Sequence, residues 1–182
     1  MKSALRILIL GSMKKSCLII LILSIPLCSF TQSAFKSPKF SYSYLIPEGW
    51  HIKDKIYHQS VDSKAVDDKG NSFVVTVIEF PTPSKRTAKQ EYEGMTNEQL
   101  ENEFNGIYGD TKVIKRGTIL IGGKEFYYIH FTTPFKDNLT LYHKMFSYNE
   151  SYRTYSIDAC AISNQVIETT PYFSVMLTSF KF

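Results

Sequence analysis

Apolar and polar residues alternate along much of the second half of the chain, and this period of two residues predicts β-strands. Residues 112–160 are rich in aromatic side chains and predict a series of hairpin-connected strands. Gly122-Gly123 suits a two-residue turn, because glycine readily adopts the positive φ that such turns require. The predicted strands are, in order, one that ends at Ile121 and the segments 124–133, 139–148 and 152–160.

Shorter strands are predicted earlier in the chain. Residues 40–46 alternate aromatic with small polar residues, the turn from Pro47 to Gly49 interrupts this strand, and Trp50 begins the next. Residues 72–80 form the most β-prone run of the chain. Its nearly continuous apolar character predicts a central strand that is covered on both faces of its sheet.

Two helices are predicted among these strands. Thr96 and Gln99 have the spacing of a capping box, in which each side chain binds the backbone of the other residue. Near the C-terminus, Thr170 followed by Pro171 is typical of the first residues of a short helix. Apolar residues spaced along one face of the first helix are expected to pack on the sheet. They are Leu100, Phe104 and Ile107.

The order of these features resembles that of a known family. The features are a Pro-x-Gly-Trp turn at 47–50, the β-run at 73–80, Ile121 followed by two glycines, the aromatic strand at 126–131 and Ser-Phe-x-Phe at 179–182. Over about residues 40–182 the chain is similar to the PsbP-like family of exported bacterial proteins, which includes DcrB-type lipoproteins.

The resemblance implies a fold and a broad role. It implies an α/β fold, an α/β/α sandwich whose antiparallel sheet has about six strands and helices on both faces. Plant PsbP proteins assist photosystem II and other eukaryotic relatives bind a small GTPase, so an accessory or binding domain is implied. The family shares no catalytic residues. We therefore expect residues 40–182 to form a single domain without enzymatic activity or cofactor, after a flexible lead-in at 33–39.

Residues 1–32 have the parts of a secretory signal peptide. Lys14-Lys15 precedes an apolar run at 17–28, which small and polar residues follow. The run is short for a stable transmembrane anchor, although a retained anchor is the alternative. Met13 directly precedes the two lysines and is an alternative start. We expect an exported protein, periplasmic or secreted, with no stable transmembrane span in its mature form.

The remaining sequence limits the partners that we expect. Lipidation of Cys28 is disfavoured, because the bulky Leu27 stands where a lipoprotein signal needs a small residue. The net charge of +4 arises within residues 1–32, and the other 17 basic residues equal the 17 acidic residues in number. Without an excess of positive charge, nucleic acid is not an expected partner.

Two histidines lie on adjacent predicted strands. If Pro134 pairs with Leu139, His130 faces His143 and both side chains lie on the same face of the sheet. A register shift of one residue would instead place the two histidines on opposite faces.

A carboxylate on the following strand completes a candidate metal site. If Tyr148 pairs with Ser151, Asp158 lies one diagonal step from His143. Two histidines and a carboxylate are typical ligands of zinc and other divalent metals. His130, His143 and Asp158 are therefore a candidate metal site.

Signals for catalysis are lacking in the sequence, which contains no nucleophile elbow, zinc-protease or phosphate-loop motif. Cys160 is expected to be a buried small residue. We expect an accessory or protein-interaction domain that binds an unidentified protein of the bacterial cell envelope. The alternative is a small-ligand or metal-binding periplasmic protein.

Aromatic residues crowd the last three predicted strands. They form either an open groove for a peptide or a small apolar ligand, or a core under helices on both faces. These residues are Tyr127, Tyr128, Tyr142, Phe146, Tyr148, Tyr152 and Tyr155.

Overall fold

The computed structural model describes residues 32–54 and 58–182. The predicted signal peptide lies outside the described residues apart from its last residue, and so do Met13 and Cys28. Among the helices in the described ranges, none is both long and apolar enough to cross a membrane.

The described chain contains two antiparallel sheets. Seven strands form the larger sheet in the order β3-β4-β5-β9-β8-β7-β6, and β1 pairs with β2. The strands are β1 (Ser33–Lys36), β2 (Ser43–Ile46), β3 (Trp50–Ile52), β4 (Val61–Asp67), β5 (Ser72–Glu79), β6 (Lys112–Ile121), β7 (Lys124–Pro134), β8 (Thr140–Glu150) and β9 (Arg153–Ile162). The α-helices are α1 (Ala88–Tyr92), α2 (Asn97–Tyr108) and α3 (Val166–Thr178), with 3₁₀ turns at Lys136–Asn138 and Ser163–Gln165.

One face of the larger sheet, which we call the α3 face, packs against α3 and the β1–β2 pair. Phe173 and Met176 of α3 are buried against it. Phe180, which follows α3, stacks on Tyr42 and Tyr44 at 5.1 and 5.9 Å between ring centres. The buried sheet residues of this face are Ala65, Phe73, Val75, Val77, Ile121, Phe126, Phe146, Tyr155, Ile157, Ala159 and Ala161.

The opposite face, which we call the α2 face, packs against α1 and α2. Phe104 of α2 lies 5.0 Å from Phe131 of β7 between ring centres. The buried sheet residues of this face are Tyr127, Ile129, Phe131 and Met145. Helices lie on both faces of an antiparallel sheet, which confirms the predicted α/β/α sandwich. The larger sheet has seven strands, where about six were expected.

The capping box predicted at the start of α2 is confirmed. The hydroxyl oxygen of Thr96 accepts a hydrogen bond from the backbone N–H of Gln99, and the amide oxygen of Gln99 accepts one from the backbone N–H of Thr96. Two orphan donors of the first helical turn are satisfied in this way. An equivalent pair, Thr87 and Gln90, caps α1, a helix that the sequence does not predict.

Other helix details differ from the prediction. Ile107 is 72% exposed and does not pack on the sheet, because Tyr108 occupies the corresponding place in the core. α3 begins at Val166, so Pro171 lies inside the helix rather than at its start. Pro171 leaves the carbonyl of Ile167 without its helical donor. That residue is exposed, and water can satisfy its carbonyl.

Two strands are not predicted by the sequence. Ser33–Lys36, in the expected flexible lead-in, pairs with Ser43–Ile46. β4 lacks aromatic residues, and its buried Ser63 is polar. The hydroxyl of Ser63 is hydrogen-bonded to those of Tyr42 and Tyr44, each at 3.1 Å. The buried positions of β4 are Ser63, Ala65 and Val66. Because they include a polar residue and two adjacent ones, the strand shows little apolar alternation, which explains why the pattern misses it.

Candidate functional site

The pairing of β7 with β8 separates the two histidines of the predicted metal site. His143 pairs with Phe131, and His130 pairs with Lys144. Because successive residues of a strand point to opposite faces, His143 lies on the α2 face and His130 on the α3 face. The prediction that His130, His143 and Asp158 form one cluster is therefore wrong.

The loop between β7 and β8 causes this shift in register. Pro134 pairs with Thr140 rather than with Leu139. Asp137 and Asn138 both adopt positive φ, of 59° and 60°. These two left-handed residues accommodate one more residue in the loop than the predicted pairing allows.

The remaining part of the predicted cluster does form. His143 is 4% exposed, and its Nδ1 lies 3.0 Å from Oδ2 of Asp158. Its Nε2 lies 3.3 Å from Oγ1 of Thr133 and 3.8 Å from Sγ of Cys160. The imidazole stacks on Phe131 at 4.6 Å between ring centres. These contacts fix both the position and the orientation of the His143 ring.

His143, Asp158 and Cys160 are residue types found in nucleophilic sites, but the thiol lacks the lowered pKa that a nucleophilic cysteine needs. Burial and the carboxylate of Asp158 raise the pKa of Cys160 to about 12, because both disfavour the thiolate. The thiol is therefore protonated at neutral pH. Within the described ranges, no three His, Cys, Asp or Glu side chains are grouped to hold a metal ion.

His130 has contrasting surroundings on the α3 face. It is half-buried, lies opposite Lys115 on β6 and Lys144 on β8, and its Nδ1 is 3.3 Å from the Tyr142 hydroxyl. Burial, followed by Lys144 and Lys115, lowers the pKa of His130 to about 4, since each disfavours the imidazolium. The ring is therefore neutral at neutral pH.

The aromatic residues of β7, β8 and β9 do not form a single groove. Tyr127 is buried on the α2 face, and Tyr152 is exposed in the turn before β9. The other five lie on the α3 face, where Phe182 packs on Tyr148 and Tyr155. These five are Tyr128, Tyr142, Phe146, Tyr148 and Tyr155.

The α2 face is covered by helices over only part of its width. The sheet residues buried under α1 and α2 belong to β7 and β8. By contrast, most side chains that β4, β5 and β9 direct to this face are partly exposed. We call this region the open half of the α2 face. Its residues are Lys64, Val74, Thr76, Ile78, Thr154, Ser156 and Asp158. The prediction that the strand at 72–80 is covered on both faces is therefore wrong.

A groove lined by both apolar and polar residues lies at one end of the open half, and we call it the apolar groove after its exposed Ile78 and Phe80. Ile78 and Phe80 are 41% and 40% exposed. With Pro81, Pro83 and Tyr92 they line a groove of about 410 Å³. The sequence shows prolines that end the strand, but it gives no sign that Phe80 is uncovered, because that depends on the position of α1.

A second cavity, of about 450 Å³, lies beside the start of α3. Trp50 and Tyr172 line it together with several charged side chains. The charges are already satisfied in part, because Lys69 pairs with Glu168 at 2.8 Å and Asp67 accepts hydrogen bonds from its own loop. We therefore regard the apolar groove as the better candidate site.

The sheet and its helices match solved structures of other proteins. The structure of cyanobacterial PsbP (CyanoP) from Synechocystis aligns with 85% of this chain and 94% of its own, with a TM-score of 0.61 and 16% sequence identity. The chain has a PsbP-like fold. The PsbP-like resemblance of the sequence is thereby confirmed.

Two further structures share the PsbP-like fold. LpqN, described as involved in cell envelope biogenesis of Mycobacterium tuberculosis, has a TM-score of 0.52 and 8% identity over 85% of this chain and 86% of its own. A Bacteroides thetaiotaomicron protein has a TM-score of 0.56 and 9% identity over 81% of this chain and 47% of its own. Such low identities establish the fold alone. No family model and no curated protein matches the sequence.

Proposed function

We propose that this chain is an exported, non-enzymatic accessory protein of the bacterial cell envelope that acts by binding another protein. The PsbP-like fold supports an accessory role, since it occurs in CyanoP and in LpqN, which is described as involved in cell envelope biogenesis. The signal-like sequence of residues 1–32 supports export. The observation that carries the proposal is the apolar groove in the open half of the α2 face.

The groove offers apolar surface on a rigid support. Ile78 belongs to the end of β5, and Phe80 directly follows that strand. Pro81 and Pro83 restrict the adjoining backbone. Because Ile78 and Phe80 are only 41% and 40% exposed, burying what remains accessible of each contributes roughly 0.6–1.2 kcal/mol, and anchors of this kind dominate many protein interfaces.

The charges around the groove define the partner segment. Among the residues that line it, Glu91 is the only charged one. The partner is therefore expected to insert apolar side chains, with a basic residue favoured opposite Glu91. Thr154, which lines the groove, and the adjacent Thr76 and Ser156 would form the polar rim of the interface.

Site-specific photocrosslinking in the native cells tests this interaction. A photoreactive residue at Thr82, which lines the groove, is expected to give an adduct of defined mass in the envelope fraction. The control places the photoreactive residue at Glu103, an exposed position on α2, where no adduct is expected. The adduct should disappear in the Ile78→Ser/Phe80→Ser variant, whose substitutions are at exposed positions. No adduct at Thr82, or one that persists in this variant, would contradict the proposal.

Export is tested separately by N-terminal sequencing of the protein recovered from cells. The mature protein is expected to begin near Thr31 or Ser33 and to fractionate with the envelope or the medium. A full-length chain confined to the cytosol would exclude an envelope role while leaving the groove as a binding site.

A further inference from the structure

A row of three basic side chains crosses the α3 face. Lys115, His130 and Lys144 lie directly opposite one another on β6, β7 and β8. Neighbouring strands are about 4.8 Å apart, so the backbones of the two lysines are separated by roughly 10 Å. Positive groups placed side by side destabilise a sheet unless an opposite charge compensates them.

No carboxylate provides this compensation in the described part of the chain. Neither Lys115 nor Lys144 forms an ion pair there. Lys144 donates instead to the uncharged Oγ1 of Thr170 on α3, at 3.2 Å. Burial, followed by Lys115, lowers the pKa of Lys144. The positive charge of Lys144 is therefore costly at this position.

Two tyrosine rings hold the lysines of this row. Nζ of Lys115 lies 5.7 Å from the centre of the Tyr128 ring, and Nζ of Lys144 lies 5.9 Å from that of Tyr142. Such cation–π contacts restrict where the ammonium groups can lie. Tyr128 lies across Gly117, where a Cβ would come within 2.9 Å of the tyrosine hydroxyl. The position of Tyr128 therefore depends on a glycine at 117.

We propose that the row of Lys115, His130 and Lys144 binds a phosphate group, as inorganic phosphate or as a phosphate monoester. The two ammonium groups supply charge-assisted hydrogen bonds, and the Tyr142 hydroxyl supplies a neutral donor. The anion also favours protonation of His130, which adds a third positive charge. The row lies on the α3 face and the apolar groove on the α2 face, so each proposal can fail without the other.

Calorimetric titration of the full mature chain with inorganic phosphate, in a phosphate- and sulfate-free buffer, tests this site. Saturable binding is expected, together with a rise in the pKa of His130 measured from its ring signals by NMR. Lys115→Ala and Lys144→Ala should each weaken binding about tenfold or more, because each removes a charge-assisted hydrogen bond.

Lys124→Ala is the matched control for these variants. Lys124 lies 5.6 Å from the centre of the Tyr148 ring on the same face, but it pairs with Glu150 at 3.5 Å. Its removal should leave phosphate affinity unchanged. An equal loss in Lys124→Ala, or unchanged binding in a folded Lys115→Ala/Lys144→Ala variant, would overturn the proposal.

Phosphatidylcholine vesicles with and without phosphatidic acid identify the source of the phosphate group. Binding to inorganic phosphate, with no preference for vesicles containing phosphatidic acid, assigns the site to a soluble ligand. Binding only to the vesicles with phosphatidic acid, lost in the double lysine variant, assigns it to a lipid headgroup. Failure to bind either probe overturns the proposal.

Discussion

His130 and His143 lie on neighbouring strands of one hairpin, yet their surroundings are opposite in kind. His143 is buried, with Asp158 at one ring nitrogen and Thr133 at the other. His130 is half-buried between two lysines, with no carboxylate partner in the described chain. The comparison shows that the face of the sheet, rather than the residue type, determines what each histidine can do.

The difference in surrounding charge gives His143 a structural role and suits His130 to binding an anion. The contacts of His143 are satisfied within the protein, so removing this ring must leave neighbours unpaired. His130 instead lies in an uncompensated positive field, which an added anion would relieve. The two histidines should therefore respond differently to substitution and to pH.

The largest difference is expected for truncation of the two rings. His143→Ala should lower the free energy of unfolding by about 2–4 kcal/mol, because it creates a cavity and leaves Asp158 without its partner. His130→Ala should cost less than about 1 kcal/mol, because the ring is half-buried among cations. Urea denaturation at neutral pH measures both losses.

His51→Ala provides the reference for these values. His51 is an exposed residue of the edge strand β3, so its truncation should change stability by less than about 0.5 kcal/mol. Equal losses for His130→Ala and His143→Ala would refute the contrast between the two sites.

A smaller effect is expected when only the acceptor of His143 changes. Asp158→Asn keeps the shape of the side chain but replaces a charged acceptor with a neutral one, and should cost about 1–2 kcal/mol. Asp68→Asn, in the exposed turn before β5, is the control and should be nearly neutral. Thermal unfolding of the two variants measures the difference. A stability unchanged by Asp158→Asn would show that its contact with His143 adds nothing.

The hairpin registers explain why the sequence predicts only half of the histidine cluster. For β8 and β9 the predicted partner of Tyr148 was Ser151, whereas the structure pairs Tyr148 with Tyr155. This error is an even number of residues, so it leaves every side chain on its expected face. Asp158 therefore still meets His143.

For β7 and β8 the error is one residue, which inverts the faces. The observed register depends on the left-handed backbone of Asp137 and Asn138. The sequence does not reveal this conformation, because many residue sequences can form a loop of similar length. By contrast, the turn at Gly122-Gly123 is predicted well, because only glycine adopts positive φ readily at both positions. Ile121 pairs with Lys124 there, as the turn requires.

Coverage of the sheet is a second property that the pattern does not reveal. The apolar run at 72–80 predicts burial on both faces, yet Val74 and Ile78 on the α2 face remain partly exposed. The reason is that Leu100 and Phe104 hold α2 over β7 and β8. Periodicity identifies apolar residues but not the element that covers them, and the groove at Phe80 follows from that missing cover.

The prediction with the smallest effect at neutral pH concerns His130, whose contribution appears only in how stability depends on pH. The folded protein has a His130 pKa of about 4, below its ordinary value of 6.5. Well above pH 6.5, His130 is neutral in both the folded and the unfolded protein, so it does not make the free energy of unfolding depend on pH. As the pH falls from 6.5 towards 4, the unfolded chain binds a proton that the folded protein does not, and stability is lost. His130→Gln should reduce the slope of the free energy of unfolding against pH by up to the equivalent of about one bound proton.

Substitution of the lysines tests whether their charges lower the pKa of His130. Besides the uncharged Tyr128, Tyr142 and Thr170, the charged groups that face His130 are Lys115 of β6 and Lys144 of β8. Lys144→Gln removes one of these charges and opens the site to water, so the pKa of His130 measured by NMR should rise towards its ordinary value. Lys124→Gln, whose charge is paired with Glu150, should leave that pKa unchanged. If both variants shift it equally, a general charge effect rather than the row of Lys115, His130 and Lys144 sets the protonation of His130.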